Sequence, residues 1–130
     1  MREPRWLSLQ IVTALHDEQL ARFGGGTGMR DQGLLESALA RPVNAFHYKP
    51  ESGLFDLAAA YGFGIIRNHP FIDGNKRTGD LAVQVFLHLN GWNYDPDQHD
   101  EVMTILGVAA GEIEEDVLAR WIEQNSSKLK

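Results

Sequence analysis

Two segments constrain this chain more than any other feature: Leu54 to Asn68 and Lys76 to Leu89 have helical spacing and almost no polar face. On the first, Leu54, Leu57, Ala58, Tyr61 and Ile65 lie on one side and Phe55, Ala59 and Ile66 on another. The second carries Leu81, Ala82, Val85, Phe86 and Leu89, and Asn90-Gly91 ends it. A helix that is apolar all round has to be surrounded by other elements, so both belong at the centre of a bundle. Gly62 and Gly64 each cost the first helix roughly 1 kcal/mol relative to alanine. The expected compensation is a close approach by a neighbouring helix.

The flanking stretches supply the rest of an all-α fold of five or six helices. Ser8 is placed to cap a helix carrying Leu9, Val12, Leu15 and Leu20, which the Gly24-Gly25-Gly26 run stops. Asp31 precedes a short helix with Leu34, Leu35, Ala38 and Leu39 on one side, expected to end at Pro42. Val43 to Gly53 then reads as a loop or a short irregular hairpin. After Tyr94-Asp95-Pro96, apolar spacing predicts a helix from about Asp97 to Ala110, and a last one carries Ile113, Val117, Leu118, Trp121 and Ile122. No alternating run long enough for a strand is visible.

With 130 residues and no repeat or low-complexity tract, residues 1–130 read as a single domain around one core. Cysteine is absent, which removes disulfides, thiolate metal sites and cysteine nucleophiles together. The start, Met1-Arg2-Glu3-Pro4-Arg5-Trp6, has no apolar run behind its charges, and no apolar stretch approaches a bilayer span. A cytoplasmic location without membrane contact is therefore the expectation. The net charge of −6 without a basic stripe argues against direct nucleic-acid binding. An acidic body that binds polyphosphate has to concentrate its positive potential, so clustered cations become informative.

Such a cluster lies between the two central segments, in His69-Pro70-Phe71-Ile72-Asp73-Gly74-Asn75-Lys76-Arg77. Pro70 pushes His69 out of helical geometry. Phe71 is expected to plug into the core. Asp73-Gly74-Asn75 is turn chemistry followed by a good cap residue, so the second central helix begins near Asn75 with its first amides free. Free amides at a helix start bind anions, and Gly74 allows a phosphate to approach the backbone. First turns usually carry acids that complement the dipole, whereas this one carries Lys76 and Arg77. Asp73 is then suited to Mg²⁺ beside a nucleotide triphosphate, and His69 to proton transfer near neutral pH. Each part alone reads as structure: a structural histidine, an ordinary cap, a solvated Lys-Arg pair. Together in one loop they point to a phosphate site.

At these residues the chain resembles the Fic/Doc superfamily, whose signature His-x-Phe-x-(Asp/Glu)-Gly-Asn-(Gly/Lys)-Arg it matches throughout. The stretch from Gly28 to Pro42 also looks like that family. The resemblance implies a Fic/Doc-type bundle of about six helices, with two central helices joined by the motif loop and a small flap. AMP-transferring members continue Gly-Asn-Gly-Arg-x-x-Arg. Here Lys76 replaces the second glycine and Asp80 the second arginine, which resembles the Doc (death on curing) subgroup. That likeness implies the toxin of a type II toxin–antitoxin pair, acting as an ATP-dependent protein kinase on a threonine of elongation factor Tu and arresting translation. By motif position, His69 would activate the target hydroxyl and Asp73 would bind Mg²⁺. Gly74, Asn75, Lys76 and Arg77 would hold the phosphates of ATP. The flap position falls on Val43 to Gly53, where Phe46, His47, Tyr48 and Lys49 are candidates for docking the target, for example by strand addition.

Many relatives carry a self-inhibitory (Ser/Thr)-x-x-x-Glu-(Gly/Asn) helix, and no such pattern follows Ser8, Thr13, Ser37 or Thr104. Restraint is then expected from an antitoxin whose tail folds onto this chain. Two other functions stand beside the kinase: AMP transfer onto a protein hydroxyl, which Lys76 and Asp80 oppose, and a non-catalytic binding module, which intact His69, Asp73 and Arg77 oppose. His16, His47, His88 and His99 have no metal spacing and read as structural or surface residues. Trp6, Trp92 and Trp121 read as packing. Asp95, Asp97, Asp100 and the acids from Glu112 to Asp116 read as helix-start acids.

Overall fold

A computed structural model describes residues 1–130. Ser8 accepts a hydrogen bond from the Ile11 amide and starts α1 (Leu9–Phe23), which stops at Gly24. Asp31 caps α2 (Gln32–Tyr48) in the same way through the Leu34 amide. Local cap chemistry in the sequence thus sets both starts.

The end of α2 departs from expectation. Pro42 lies inside the helix, which runs on to Tyr48. A mid-helix proline forfeits one backbone bond and costs about 3 kcal/mol. Here Leu35, Ala38 and Pro42 form a buried face, and the turns beyond pack Ala45 and Phe46 against the core. That burial offsets the penalty, so the segment expected as a loop from Val43 is irregular only from Lys49 to Gly53.

α3 (Leu54–Asn68) and α4 (Asn75–Leu89) are the two central helices, packed against each other, with α3 also against α2. Their contact depends on missing side chains. A Cβ on Gly62 would lie 2.7 Å from Val83 Cγ2, and one on Gly79 would lie 2.7 Å from Ile66 Cγ1 and 3.1 Å from the Gly62 carbonyl. Gly64 serves the other neighbour, since its Cβ would meet Ala38 of α2 at 3.2 Å. The close approach expected at Gly62 and Gly64 is thus present on two sides of α3.

Asn90 and Gly91 end α4, and the chain enters β1 (Trp92–Tyr94). Asp97 caps α5 (Gln98–Ala109). α6 (Glu115–Gln124) follows and covers α3, and β2 (Ser126–Lys128) closes the order. The strands pair antiparallel, Trp92 opposite Lys128 and Tyr94 opposite Ser126. This small sheet is an addition to the all-helical expectation, since three residues are too few to show an alternating pattern. The fold is predominantly helical, with a core built on Tyr61, Phe71, Phe86, Leu57 and Ile65. Tyr61 is anchored by the Leu7 amide, which donates to its hydroxyl oxygen at 2.9 Å. Trp6, Trp92 and Trp121 pack half-buried against the core. No helix is long and apolar enough to cross a membrane.

Candidate active site

The segment from His69 to Gly74 joins the end of α3 to the start of α4, and every turn of it is held. His69 is the C-cap of α3, with φ 54° and ψ 54°, and its amide donates to the Ile65 carbonyl at 3.1 Å. It is the only non-glycine residue with positive φ, a left-handed conformation that needs support from its surroundings. Its imidazole-bearing residue is exposed at the mouth of the loop.

Phe71 is buried in the core, as its apolar character predicts. Asn75 also turns inward. Its side-chain oxygen accepts from the Phe71 amide at 2.9 Å, and its amide nitrogen donates to the Phe71 carbonyl at 3.0 Å. In the sequence, Asn75 is expected as a cap and as a phosphate ligand. The cap is Gly74 instead, with φ 78°, and Asn75 is the first residue of α4 with a buried side chain. Its amide group is committed to the loop, which leaves only its backbone N–H for an anion. A left-handed cap is glycine's conformation, and the turn into α4 requires it.

No side chain caps α4. Its first backbone hydrogen bond runs from the Thr78 amide to the Gly74 carbonyl, so the amides of Asn75, Lys76 and Arg77 have no intrahelical acceptor. Lys76 and Arg77 are exposed and form no ion pair. Arg77 lies over the ring of Phe23, 4.5 Å from its centroid, at the end of α1. Asp73 is exposed, yet its carboxylate is oriented: it accepts from the Gly74 amide at 2.8 Å and from the Gly26 amide at 3.4 Å. Those two amides, with the charges of Lys76 and Arg77 behind them, lower the Asp73 pKa from its ordinary value.

Three contributions escaped the sequence. His16, buried in α1, stacks on Phe71 and donates from Nε2 to the Asp73 carbonyl at 2.8 Å; a carbonyl only accepts, so Nε2 carries the proton. The strand-like piece at Met29 bridges Phe71, and the Ile72 amide donates to the Gly28 carbonyl at 3.2 Å. Arg30 reaches the end of α3, where Nε donates to the His69 carbonyl at 2.7 Å and Nη2 to the Asn68 carbonyl at 2.9 Å. None of these follows from spacing, although the Gly28 to Pro42 stretch resembles the family as a block.

Of the remaining candidates, Phe46 is half-buried and sits edge-on to Trp6, centroids 5.8 Å apart. His47, Tyr48 and Lys49 are exposed at the end of α2. Because that segment is helical through Tyr48, it presents no extended strand for peptide addition there. Asp80, three residues beyond Arg77 on α4, is engaged by β1, where the Tyr94 hydroxyl donates to it at 2.9 Å. Burial, followed by Glu101 beside it, pushes Asp80 up to about 8.

The site thus combines an exposed imidazole, an oriented carboxylate and an uncapped helix start with two free cations. Residues 6–87 match the Fic/DOC family. The chain is 35% identical over 109 residues to "Protein kinase doc" of Escherichia phage P1, covering 84% of this chain and 86% of that protein. It is 41% identical over 86 residues to "Toxin Doc" of Mycolicibacterium smegmatis, covering 62% of this chain and 66% of that one. Motif, fold and relatives agree, and this chain belongs to the Fic/DOC family, within its Doc subgroup.

Proposed function

We propose that this chain is a Doc-type protein kinase, the toxin of a type II toxin–antitoxin pair, which moves the γ-phosphate of ATP to a threonine of elongation factor Tu in the cytoplasm and so arrests translation. The observation that carries this reading is the start of α4. It has free amides, no side-chain cap, and Lys76 and Arg77 without acidic partners, and it follows directly on the loop that begins at the exposed His69. The names of the phage and mycobacterial relatives support the kinase and toxin parts respectively.

The residues suit ATP and Mg²⁺ on their own chemistry. Gly74 has no Cβ at the helix start and the first-turn amides lack acceptors, which is the arrangement of an anion cradle. Lys76 and Arg77 would hold phosphate oxygens, and Asp73, ionised and oriented, would hold the metal. A bound Mg²⁺ supplies neutralisation of phosphate charge. His69 takes the proton of the threonine hydroxyl as its oxygen bonds to the γ-phosphorus, and the bond to the ADP oxygen breaks. Phosphoryl transfer is mainly positioning and charge stabilisation, which fits a loop held on every side. Asp80 supports transfer of phosphate over AMP, because a carboxyl group engaged by the Tyr94 hydroxyl stands where AMP-transferring relatives have a phosphate-gripping arginine. Control of the activity falls to an antitoxin whose tail docks on this chain.

The test is incubation with elongation factor Tu, Mg²⁺ and ATP labelled at either the α or the γ position. The expected result is γ-label on a threonine, absent with His69→Ala. Label from the α position on the target would replace the kinase with AMP transfer. Unchanged cellular toxicity of His69→Ala would replace both with a binding module.

A further inference from the structure

Three consecutive carbonyls, those of Asn68, His69 and Pro70, end α3 and open the loop, and all three are held by two adjacent residues. Arg30 Nη2 donates to Asn68, Arg30 Nε to His69, and the backbone amides of Arg30 and Asp31 both donate to Pro70, at 2.7 and 2.9 Å. The chain reverses direction here, and His69 adopts its left-handed conformation at the centre of this grip. Arg30 is exposed and has no carboxylate partner, so the hydrogen bonds of its side chain go to main-chain carbonyls at the end of α3. Asp31 ties the grip to the rest of the fold by capping α2, and the Asn68 side chain donates to the Leu34 carbonyl at 2.9 Å in return.

We propose that Arg30 is a positioning residue for His69, fixing the backbone conformation that aims the imidazole; this rests on the reading of His69 as the base. The chemistry explains why an arginine serves. The end of α3 carries the negative pole of its dipole, and a planar guanidinium presents two N–H groups in one rigid fork. A lysine supplies the same charge from a single atom and cannot hold both carbonyls in that geometry. Arg30 acts away from the phosphates, because its donors point to the carbonyl side of α3 and the cradle belongs to α4. Its loss therefore moves the base and leaves nucleotide binding intact.

The experiment compares the parent with Arg30→Lys and Arg30→Gln in the transfer assay, in nucleotide titration with Mg²⁺, and by NMR of the His69 ring and backbone. The expected result is a kcat lowered roughly ten- to hundredfold, the range for a misplaced reacting group, with KM for ATP within about twofold of the parent. His69 resonances shift in both variants, while the amides of Lys76 and Arg77 keep their parental positions and their response to nucleotide. Weakened nucleotide binding with unmoved His69 resonances would overturn the proposal and make Arg30 a substrate ligand. A loss of kcat that only tracks the unfolded fraction in thermal melts would also overturn it. A parent protein that transfers no phosphate, with His69 still shifted in Arg30→Lys, sinks the kinase reading and leaves the grip standing.

Discussion

The imidazole of His16 lies flat on the ring of Phe71, with centroids 3.7 Å apart and planes 7° apart, and its Nε2 holds the Asp73 carbonyl. One buried side chain on α1 thus fixes both the apolar plug of the motif loop and the main chain beneath its carboxylate. Removing it, as in His16→Ala, is expected to cost about 2–3 kcal/mol from the lost stack, the lost hydrogen bond and the cavity. His16→Phe restores the stack and leaves the Asp73 carbonyl without its donor, so its loss is intermediate. Urea unfolding of the three proteins measures the order, and equal stabilities would refute it.

The contact between α3 and α4 separates two glycines that look alike in sequence. Gly62→Ala meets the end of the Val83 side chain at 2.7 Å, whereas Gly79→Ala meets Ile66 at 2.7 Å and the Gly62 backbone oxygen at 3.1 Å. Overpacking costs about 1–3 kcal/mol, and alanine returns roughly 1 kcal/mol of helix propensity. Gly62→Ala is therefore expected to cost less, about 1 kcal/mol, because its one close contact is the Val83 side chain and the nearest backbone atom, the Gly79 carbonyl oxygen, stands at 3.5 Å. Gly79→Ala is expected to destabilise by about 2 kcal/mol, because backbone cannot yield. Thermal melts of both variants decide, and the reverse order would count against the packing account.

Asp80 makes stability depend on pH. Its folded pKa, pushed up to about 8, stands above the ordinary 3.8. Below 3.8 both states hold the proton and the contribution is complete. As pH rises from there to about 8, the unfolded chain releases its proton while the folded one keeps it, so stability is lost across that window. Asp80→Asn keeps a donor and an acceptor for Glu101 and Tyr94 without titrating. The variant's advantage over the parent should grow from near zero at acid pH to its maximum by about pH 8, read by chemical denaturation. A difference independent of pH would contradict this.

Phe23 is 56% exposed, and Arg77 rests over it. An exposed cation–π contact contributes about 0.5–1 kcal/mol, enough to keep Arg77 beside the start of α4. Phe23→Ala is expected to weaken ATP binding roughly two- to fivefold by that amount, and Phe23→Tyr to retain it. Calorimetric titration with ATP and Mg²⁺ tests this, and equal affinity in the alanine variant would separate Phe23 from the site.

Much of this protein was legible in its residues because the signals are local. Ser8 and Asp31 cap the helices that follow them, and each needs only the amide three positions ahead. The bounds of α3 and α4 follow from their all-round apolar pattern, and the loop between them, with a buried Phe71 and a cationic helix start, from turn chemistry and dipole arguments. What the tertiary structure alone decided depends on residues distant in the chain. Pro42 stays helical because α3 gives its face something to pack on, and Trp92–Tyr94 becomes a strand because the end of the chain returns to it. Asn75 turns from a cap into an internal brace because Phe71 folds under it. His16, Arg30 and Phe23 reach the motif only in three dimensions. Caps and periodicity are written in neighbouring residues, whereas a grip such as that of Arg30 on His69 exists only once α2 and α3 have packed.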